Sequence, residues 1–317
     1  MRALAVIVAG SALFASAASP ANFAPMDSSG GTASASCQQV RIAGIDMVTE
    51  ADGLVAVPVS VDDTPVMLTV DTGAVHTAIS SRLADTLGLE RSTSTQLYEM
   101  AGGVPITEMA YAHSLKLGPM VTGRVGVMVA PSQALSSDTD GLFGPDVMNN
   151  YDVEIDYANA RFALFSQDHC PGQVVYWTHE AYARVPMHVD ESWHISVPVT
   201  LDGKPITAFI DTGAERSIIT QGVAKALFGI VPGDPRLTKR DNVSVNDTAP
   251  TTIYHYPFAS LALEGITVAH PDIDIMPDST LGDRGPQLIV GAGVLRQLHL
   301  YLAYKEQVLY ATPAESK

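Results

Sequence analysis

Residues 57–74 read VPVSVDDTPVMLTVDTGA and residues 197–214 read VPVTLDGKPITAFIDTGA, an ungapped match 140 positions apart in which nine of eighteen residues are identical. Repetition at one fixed offset is the signature of a duplicated structural unit, so the chain reads as a tandem of two similar halves. The match runs on into Ala78-Ile79-Ser80 and Ile218-Ile219-Thr220. After each comes a short helical pattern, with Ser80 and Thr220 as candidate N-caps, Leu83/Leu87 and Val223/Leu227 on one face, and Gly88 and Gly229 as stops. A second pair closes each half: DGLFGPDVMNNYDVEIDY at 140–157 and QLIVGAGVLRQLHLYLAY at 287–304. Each carries two apolar residues before a glycine (Gly144, Gly291), then an apolar pair, then an alternating strand ending in Tyr157 or Tyr304.

Between these marks lie short alternating stretches at 114–117, 123–130 and 259–263, separated by turn residues, so the fold class is mainly β. Within it, two D-T-G-A segments stand at equivalent places. One D-T-G is weak, because Asp, Thr and Gly are ordinary turn residues. Two copies, each after an apolar β-like run, can bring one carboxylate per half together across a pseudo-two-fold axis. Carboxylates a few Å apart cannot both ionise cheaply, so they hold one proton between them and titrate as a pair. The ionised member can take a proton from water while the protonated member donates to a carbonyl oxygen. Thr72 and Thr212 can hydrogen-bond across the axis, and Gly73 and Gly213 let backbone N–H groups approach the carboxylates. Gly144 and Gly291 allow a neighbouring strand to pass close to each loop. This chemistry needs no metal, no organic cofactor and no covalent intermediate.

The sequence resembles the retropepsin-like aspartic peptidases in single-chain, two-lobed form, on D-T-G-A followed later by apolar-apolar-Gly, twice over. The resemblance spans about Leu54 to Ala311. It implies two pepsin- or retropepsin-like β-barrel lobes with a cleft between them. It also implies catalysis by Asp71 and Asp211, support from Thr72, Gly73, Thr212, Gly213, Gly144 and Gly291, and a peptide or unfolded protein as substrate. Because one chain supplies both halves, a monomer is expected. Ala74 and Ala214 stand where pepsin-like enzymes commonly carry a hydroxyl, so the pair should titrate higher than in those relatives and work at mildly acidic pH. The family closes its cleft with a hairpin flap. Leu97 to Tyr111 with its Gly102-Gly103 tip is the candidate in the first half, Asp241 to Tyr256 the matching interval in the second. Tyr98 is a candidate flap aromatic, although an ordinary strand tyrosine is the favoured reading. Val75-His76 faces Glu215-Arg216 in the alignment of halves; Glu215 and Arg216 read either as polar contacts near the cleft or as a surface pair.

The 317 residues are 46% hydrophobic and 16% charged, and 34 acids against 18 bases give a net charge of −16. That length and balance fit a two-domain globular chain, and the charge disfavours nucleic-acid and anionic-lipid partners. The apolar run from Ala3, ending in Ala15-Ser16-Ala17, reads as an export leader over 1–17 that is removed, leaving no stable membrane span and an exported, periplasmic or secreted, protein. An Ala/Ser/Gly/Pro-rich spacer covers 18–37. The expected organisation then continues with an N-terminal peptidase lobe at 38–166, an inter-lobe connection at 167–190 and a C-terminal lobe at 191–317. Cys37 and Cys170 are the two cysteines; export makes a disulfide between them plausible, and two unpaired thiols are the alternative.

Other motifs carry less. His270-Pro271-Asp272-Ile273-Asp274 has metal-ligand residue types but reads as a solvated loop, and no H-E-x-x-H, Walker or G-x-S-x-G motif occurs. LIVGAGVL at 288–295 has an incomplete dinucleotide-binding pattern. Asn242-Val243-Ser244 and Asn246-Asp247-Thr248 are glycosylation sequons in a eukaryotic source. Two other functions compete with peptide hydrolysis. A non-catalytic peptide-binding protein would use the same cleft, but has little reason to keep two repelling carboxylates at its centre. A sugar-kinase or actin-like ATPase would require long helices that these Pro- and Gly-punctuated strands do not provide.

Overall fold

The computed structural model describes residues 38–100, 104–135, 138–243, 251–278 and 286–315. The leader and spacer expected over 1–37, Cys37, and the Gly102-Gly103 tip lie outside them.

Each half begins with a β-hairpin whose turn chemistry is visible in the sequence. Val55–Val61 pairs antiparallel with Thr64–Val70 in the register Val61↔Thr64. Ile195–Leu201 pairs likewise with Lys204–Ile210 in the register Leu201↔Lys204. The two central residues of each turn take positive φ, Asp62 at 47° and Asp63 at 66° in one, Asp202 at 45° and Gly203 at 73° in the other. This is the type I′ geometry whose twist matches the flanking strands, and Asp and Gly tolerate it. The alternating valines then point one way: Val55, Val57, Val59 and Val61 are buried while Pro58 is exposed, and Ile195, Val197, Val199 and Leu201 repeat this around Pro198.

From the hairpin, the chain passes through D-T-G and enters a short strand, Ala78–Ser80 or Ser217–Thr220, that caps a helix. Ser80 Oγ accepts from Leu83 N at 3.1 Å and Thr220 Oγ1 from Val223 N at 3.4 Å, and Gly88 and Gly229 end the helices in the left-handed conformation. The closing apolar-apolar-Gly strand inserts between the two preceding strands. Gly141–Phe143 runs parallel to Thr64–Val70 and antiparallel to Ala78–Ser80. Leu288–Val290 does the same between Lys204–Ile210 and Ser217–Thr220. Two ten-stranded sheets result with the same strand order, one drawn from residues 48–143 and the other from 188–290.

A six-stranded sheet joins the halves. Its order is Arg41–Asp46, Arg161–Phe165, Asp152–Asp156, Leu298–Ala303, Val308–Pro313 and Ala183–Pro186. The closing strands of the two repeats therefore lie edge to edge, Val153 opposite Leu302 and Ile155 opposite Leu300. One hydrophobic cluster runs from Val57 through Val153 and Leu300 to Val197, so the cores of the two halves are continuous. On the other face of this sheet Asp152 and Glu154 are buried and partnered. His169 Nε2 lies 2.5 Å from Asp152 Oδ2, His299 Nε2 lies 2.9 Å from Glu154 Oε1, and Tyr176 Oη donates to Glu154 Oε2 at 2.7 Å. Buried carboxylates require such partners. Cys170, in the segment that supplies His169 and Tyr176, is disulfide-bonded. No helix among the described residues is long and apolar enough to cross a membrane.

Candidate active site

The two D-T-G loops meet. Each hangs from its closing strand, since Asp71 N donates to Phe143 O and Asp211 N to Val290 O, both at 3.1 Å. The threonines lock the loops together reciprocally. Thr72 N donates to Thr212 Oγ1 at 3.0 Å and Thr212 N to Thr72 Oγ1 at 3.1 Å. The two hydroxyls in turn donate across the axis, Thr72 to Ile210 O at 2.8 Å and Thr212 to Val70 O at 2.7 Å. Both side chains are fully buried. Four buried bonds between segments 140 residues apart leave the loops one arrangement.

That lock brings Asp71 and Asp211 together. A Cβ added at Gly73 would overlap the Asp211 carboxyl, and one at Gly213 would overlap the Asp71 carboxyl. The glycines are thus required for space: each half's loop makes room for the other half's acid. Gly144 and Gly291 are required in the same way, because a Cβ would strike the backbone of His76-Thr77 or of Ala214 and Arg216. Their N–H groups are tied down as well, to Thr77 Oγ1 at 3.1 Å and Ser217 Oγ at 3.0 Å.

The carboxyls hydrogen-bond to each other, and each also accepts from its own loop. Asp71 Oδ1 takes Gly73 N and Ala74 N, both at 2.9 Å, and Asp211 Oδ1 takes Gly213 N at 3.0 Å. Burial pushes both acids above the ordinary carboxylate range, and for Asp211 the negative charge of Asp71 adds to it. The backbone donors and the hydrogen bond from Asp211 pull Asp71 the other way. Such a pair retains a proton under conditions where isolated aspartates have lost theirs.

The dyad opens into a cavity of about 430 Å³. Ile106, Met128, Leu135 and Leu142 give it an apolar wall, supplied by the first half, and Asp52 and His194 also line it. Tyr98 belongs to Glu90–Met100, which forms a hairpin with Val104–Ala112. It is a strand residue and a cavity-lining one together: its hydroxyl lies 3.1 Å from His76 Nε2, and the rings meet edge to face. His76 Nδ1 is in turn 3.5 Å from Asp146 Oδ2, and Asp146 Oδ1 accepts from Thr77 N at 2.8 Å and Thr77 Oγ1 at 2.7 Å. Asp146, Thr77 and His194 were not singled out by sequence. For Asp146 the signal was available, as the residue two past Gly144 is acidic where its counterpart past Gly291 is Gly293.

Glu215 and Arg216 border a separate cavity of about 130 Å³ with Arg240 and Asp272. Arg216 pairs with Glu215 at 3.6 Å and with Asp274 at 3.1 Å. The solvated-loop reading of 270–274 fails at Asp274, which is 1% exposed within the strand Ile273–Met276. His255, Asp272 and Asp274 lie close enough to hold a metal ion, but the guanidinium groups of Arg216 and Arg240 already pair with these carboxylates.

A paired-carboxyl centre between two β lobes of common topology defines a bilobal, pepsin-like architecture. A family described as aspartyl protease matches residues 57–147 and again 197–294, and the chain belongs to that family. No curated protein matches it. Among solved structures the chain is similar to the crystal structure of Basic 7S globulin from soybean, at 11% identity and a TM-score of 0.49 over 88% of this chain and 96% of that one.

Proposed function

We propose that this protein is an aspartic endopeptidase that hydrolyses peptide bonds with a water activated between Asp71 and Asp211. The observation that carries the reading is the reciprocal seating of each carboxyl against the other half's D-T-G glycine. In the reaction, the ionised carboxyl takes a proton from the water as its oxygen bonds to the scissile carbonyl carbon, and the protonated carboxyl gives its proton to the carbonyl oxygen. The resulting tetrahedral diol breaks down when the peptide nitrogen receives a proton and the C–N bond cleaves, releasing an amine and a carboxylic acid. The acids' raised titration range supports this, because a dyad that kept both charges would have no acid to donate.

The first-half wall of the cavity suits a large apolar side chain beside the cleaved bond. The leader-like start of the sequence and the disulfide at Cys170 support export to an oxidising compartment. The net charge of −16 agrees with a peptide rather than a nucleic acid as partner, and one chain holding both acids agrees with a monomer. The test is cleavage of an unstructured peptide library by the protein and by Asp71→Asn and Asp211→Asn. Each variant should keep the fold and lose turnover by roughly 10³-fold or more, because such residues act as a unit. Peptides bound but left intact by the unaltered protein would instead make it a binding module.

A further inference from the structure

The closing strand of the first half reads Asp152-Val153-Glu154-Ile155-Asp156, and its neighbour from the second half reads Leu298-His299-Leu300-Tyr301-Leu302. Side chains alternate across a sheet, so the valine, isoleucine and leucines enter the shared core. Asp152, Glu154, Asp156, His299 and Tyr301 stand on the opposite face, and all five are buried. The connection at 167–177 lies over them. It contains no helix or strand, so no backbone ladder holds it there. Val174 is buried against Phe165, Tyr301 and Tyr310. The rest of its hold is polar: Tyr176 Oη donates to Glu154 Oε2 at 2.7 Å, Gly172 N donates to Glu306 Oε1 at 2.7 Å, and His169 meets Asp152.

Each histidine sits between two acids. His169 Nε2 is 2.5 Å from Asp152 Oδ2 and its Nδ1 is 3.8 Å from Glu306 Oε1; His299 Nε2 is 2.9 Å from Glu154 Oε1 and its Nδ1 is 3.6 Å from Asp156 Oδ2. Other groups that face the cluster leave the acids uncompensated. Arg41 Nη2 donates to Tyr176 Oη at 2.7 Å, Arg184 lies over the Tyr310 ring at 6.0 Å, and Lys305 pairs at the surface with Asp168 at 3.0 Å. The phenols of Tyr301 and Tyr310 are neutral donors to Asp152 at 3.3 Å and Glu306 at 2.6 Å. Among the described residues no lysine or arginine pairs with any of the four acids, so four carboxylates share two imidazoles. An imidazole carries its charge only in acid. Burial raises Asp152 to about 6 against the pull of His169. The folded cluster thus holds a proton that an unfolded chain releases above the ordinary value of 3.8, and this contribution to stability is present in acid and lost as pH rises through that window.

We propose that the connection at 167–177 is a proton-operated clasp over the seam between the two halves. With His169 and His299 protonated it closes on the acids of the six-stranded sheet. With both imidazoles neutral, the acids are left buried without a countercharge, which is costly, and the segment lifts to let water reach them. The strands beneath keep their ladder, so the device acts on the cover and not on the sheet. It stands independently of the peptidase reading, because it uses neither Asp71 nor Asp211. Its effect is to tighten the seam in acid and loosen it at neutral pH.

Trp177 reports on the clasp, because its ring stacks on His299 with centroids 4.2 Å apart and its Nε1 donates to Thr312 Oγ1 at 3.1 Å. In the full chain, Trp193→Phe leaves Trp177 as the sole tryptophan. Between pH 5 and pH 7.5 its emission should move to longer wavelength. The amides of 173–177, corrected for intrinsic rate, should exchange at least ~10-fold faster, the change that one linked proton produces over one pH unit. His169→Gln and His299→Gln, which cannot take up the proton, should show the released signals already at pH 5. Pairing His169→Gln with Asp152→Asn removes the stranded charge, so this variant should keep the fold and respond less to pH. Emission and exchange that stay constant across this range in the Trp193→Phe protein overturn the proposal. So does a response that persists in full when both histidines are glutamine, which would place the titrating groups elsewhere, and so does a response accompanied by loss of the far-ultraviolet β spectrum, which would mark global unfolding.

Discussion

Replacing Thr212 by valine tests the lock between the halves directly. Valine keeps the shape of threonine and removes one hydroxyl. Two bonds are lost, the 3.0 Å bond from Thr72 N and the 2.7 Å bond to Val70 O. At about 1 kcal/mol each net, with a further cost because the orphaned Thr72 N–H is sealed from water, the variant should lose about 2–4 kcal/mol. For a urea slope of about 3 kcal/mol/M this lowers the unfolding midpoint by roughly 1 M. Thr212→Ser keeps the hydroxyl and forfeits a methyl group, so its loss should stay near ~1 kcal/mol. Urea titration of the three proteins, followed by circular dichroism, measures both differences. Thr72→Val removes the other two bonds, and because all four form one network the double variant should depart from the sum of the single losses by roughly 0.5–3 kcal/mol. A valine variant within ~0.5 kcal/mol of the parent, or a serine variant that falls as far as valine, would refute the idea that these hydroxyls hold the loops.

Gly213→Ala puts a methyl group on the Asp71 carboxyl; turnover should drop by roughly 10²-fold or more, because small displacements of reacting groups are that costly, and kinetics at saturating peptide would show it. The raised range of Asp211 has a sign: the folded state holds a proton that the unfolded chain has released above about pH 3.8, the ordinary value, so this group's contribution to stability falls as pH rises through that window. Asp211→Asn should accordingly be more stable than the parent at pH ~7, with the advantage shrinking toward pH ~4; urea midpoints across that range would contradict this if the advantage grew in acid. Asp146→Ala strips three acceptor contacts, to Thr77 N, Thr77 Oγ1 and Val147 N, and should cost about 2–4 kcal/mol in the same assay.

Much of this was legible because a duplicated sequence is its own alignment. The two hairpins, their Asp-Asp and Asp-Gly turns, the caps at Ser80 and Thr220, the stops at Gly88 and Gly229 and the closing apolar strands all follow from local rules of period, turn chemistry and capping. The Asp272–Asp274 segment was misread because its hydrophilic letters hide a strand in which Asp274 is buried against two arginines. A histidine next to a tryptophan carries no motif, so the place of His194 in the cavity lining, with Leu54 of the other half, appears only in the structure.

Sequence alone thus determined the repeat, its β character and the residue types on each loop, since these depend on neighbours a few positions apart. The meeting of Asp71 with Asp211, the crossed threonine bonds and the shared six-stranded sheet were decided by the tertiary structure. They depend on contacts between segments some 140 residues apart, whose formation no local periodicity encodes.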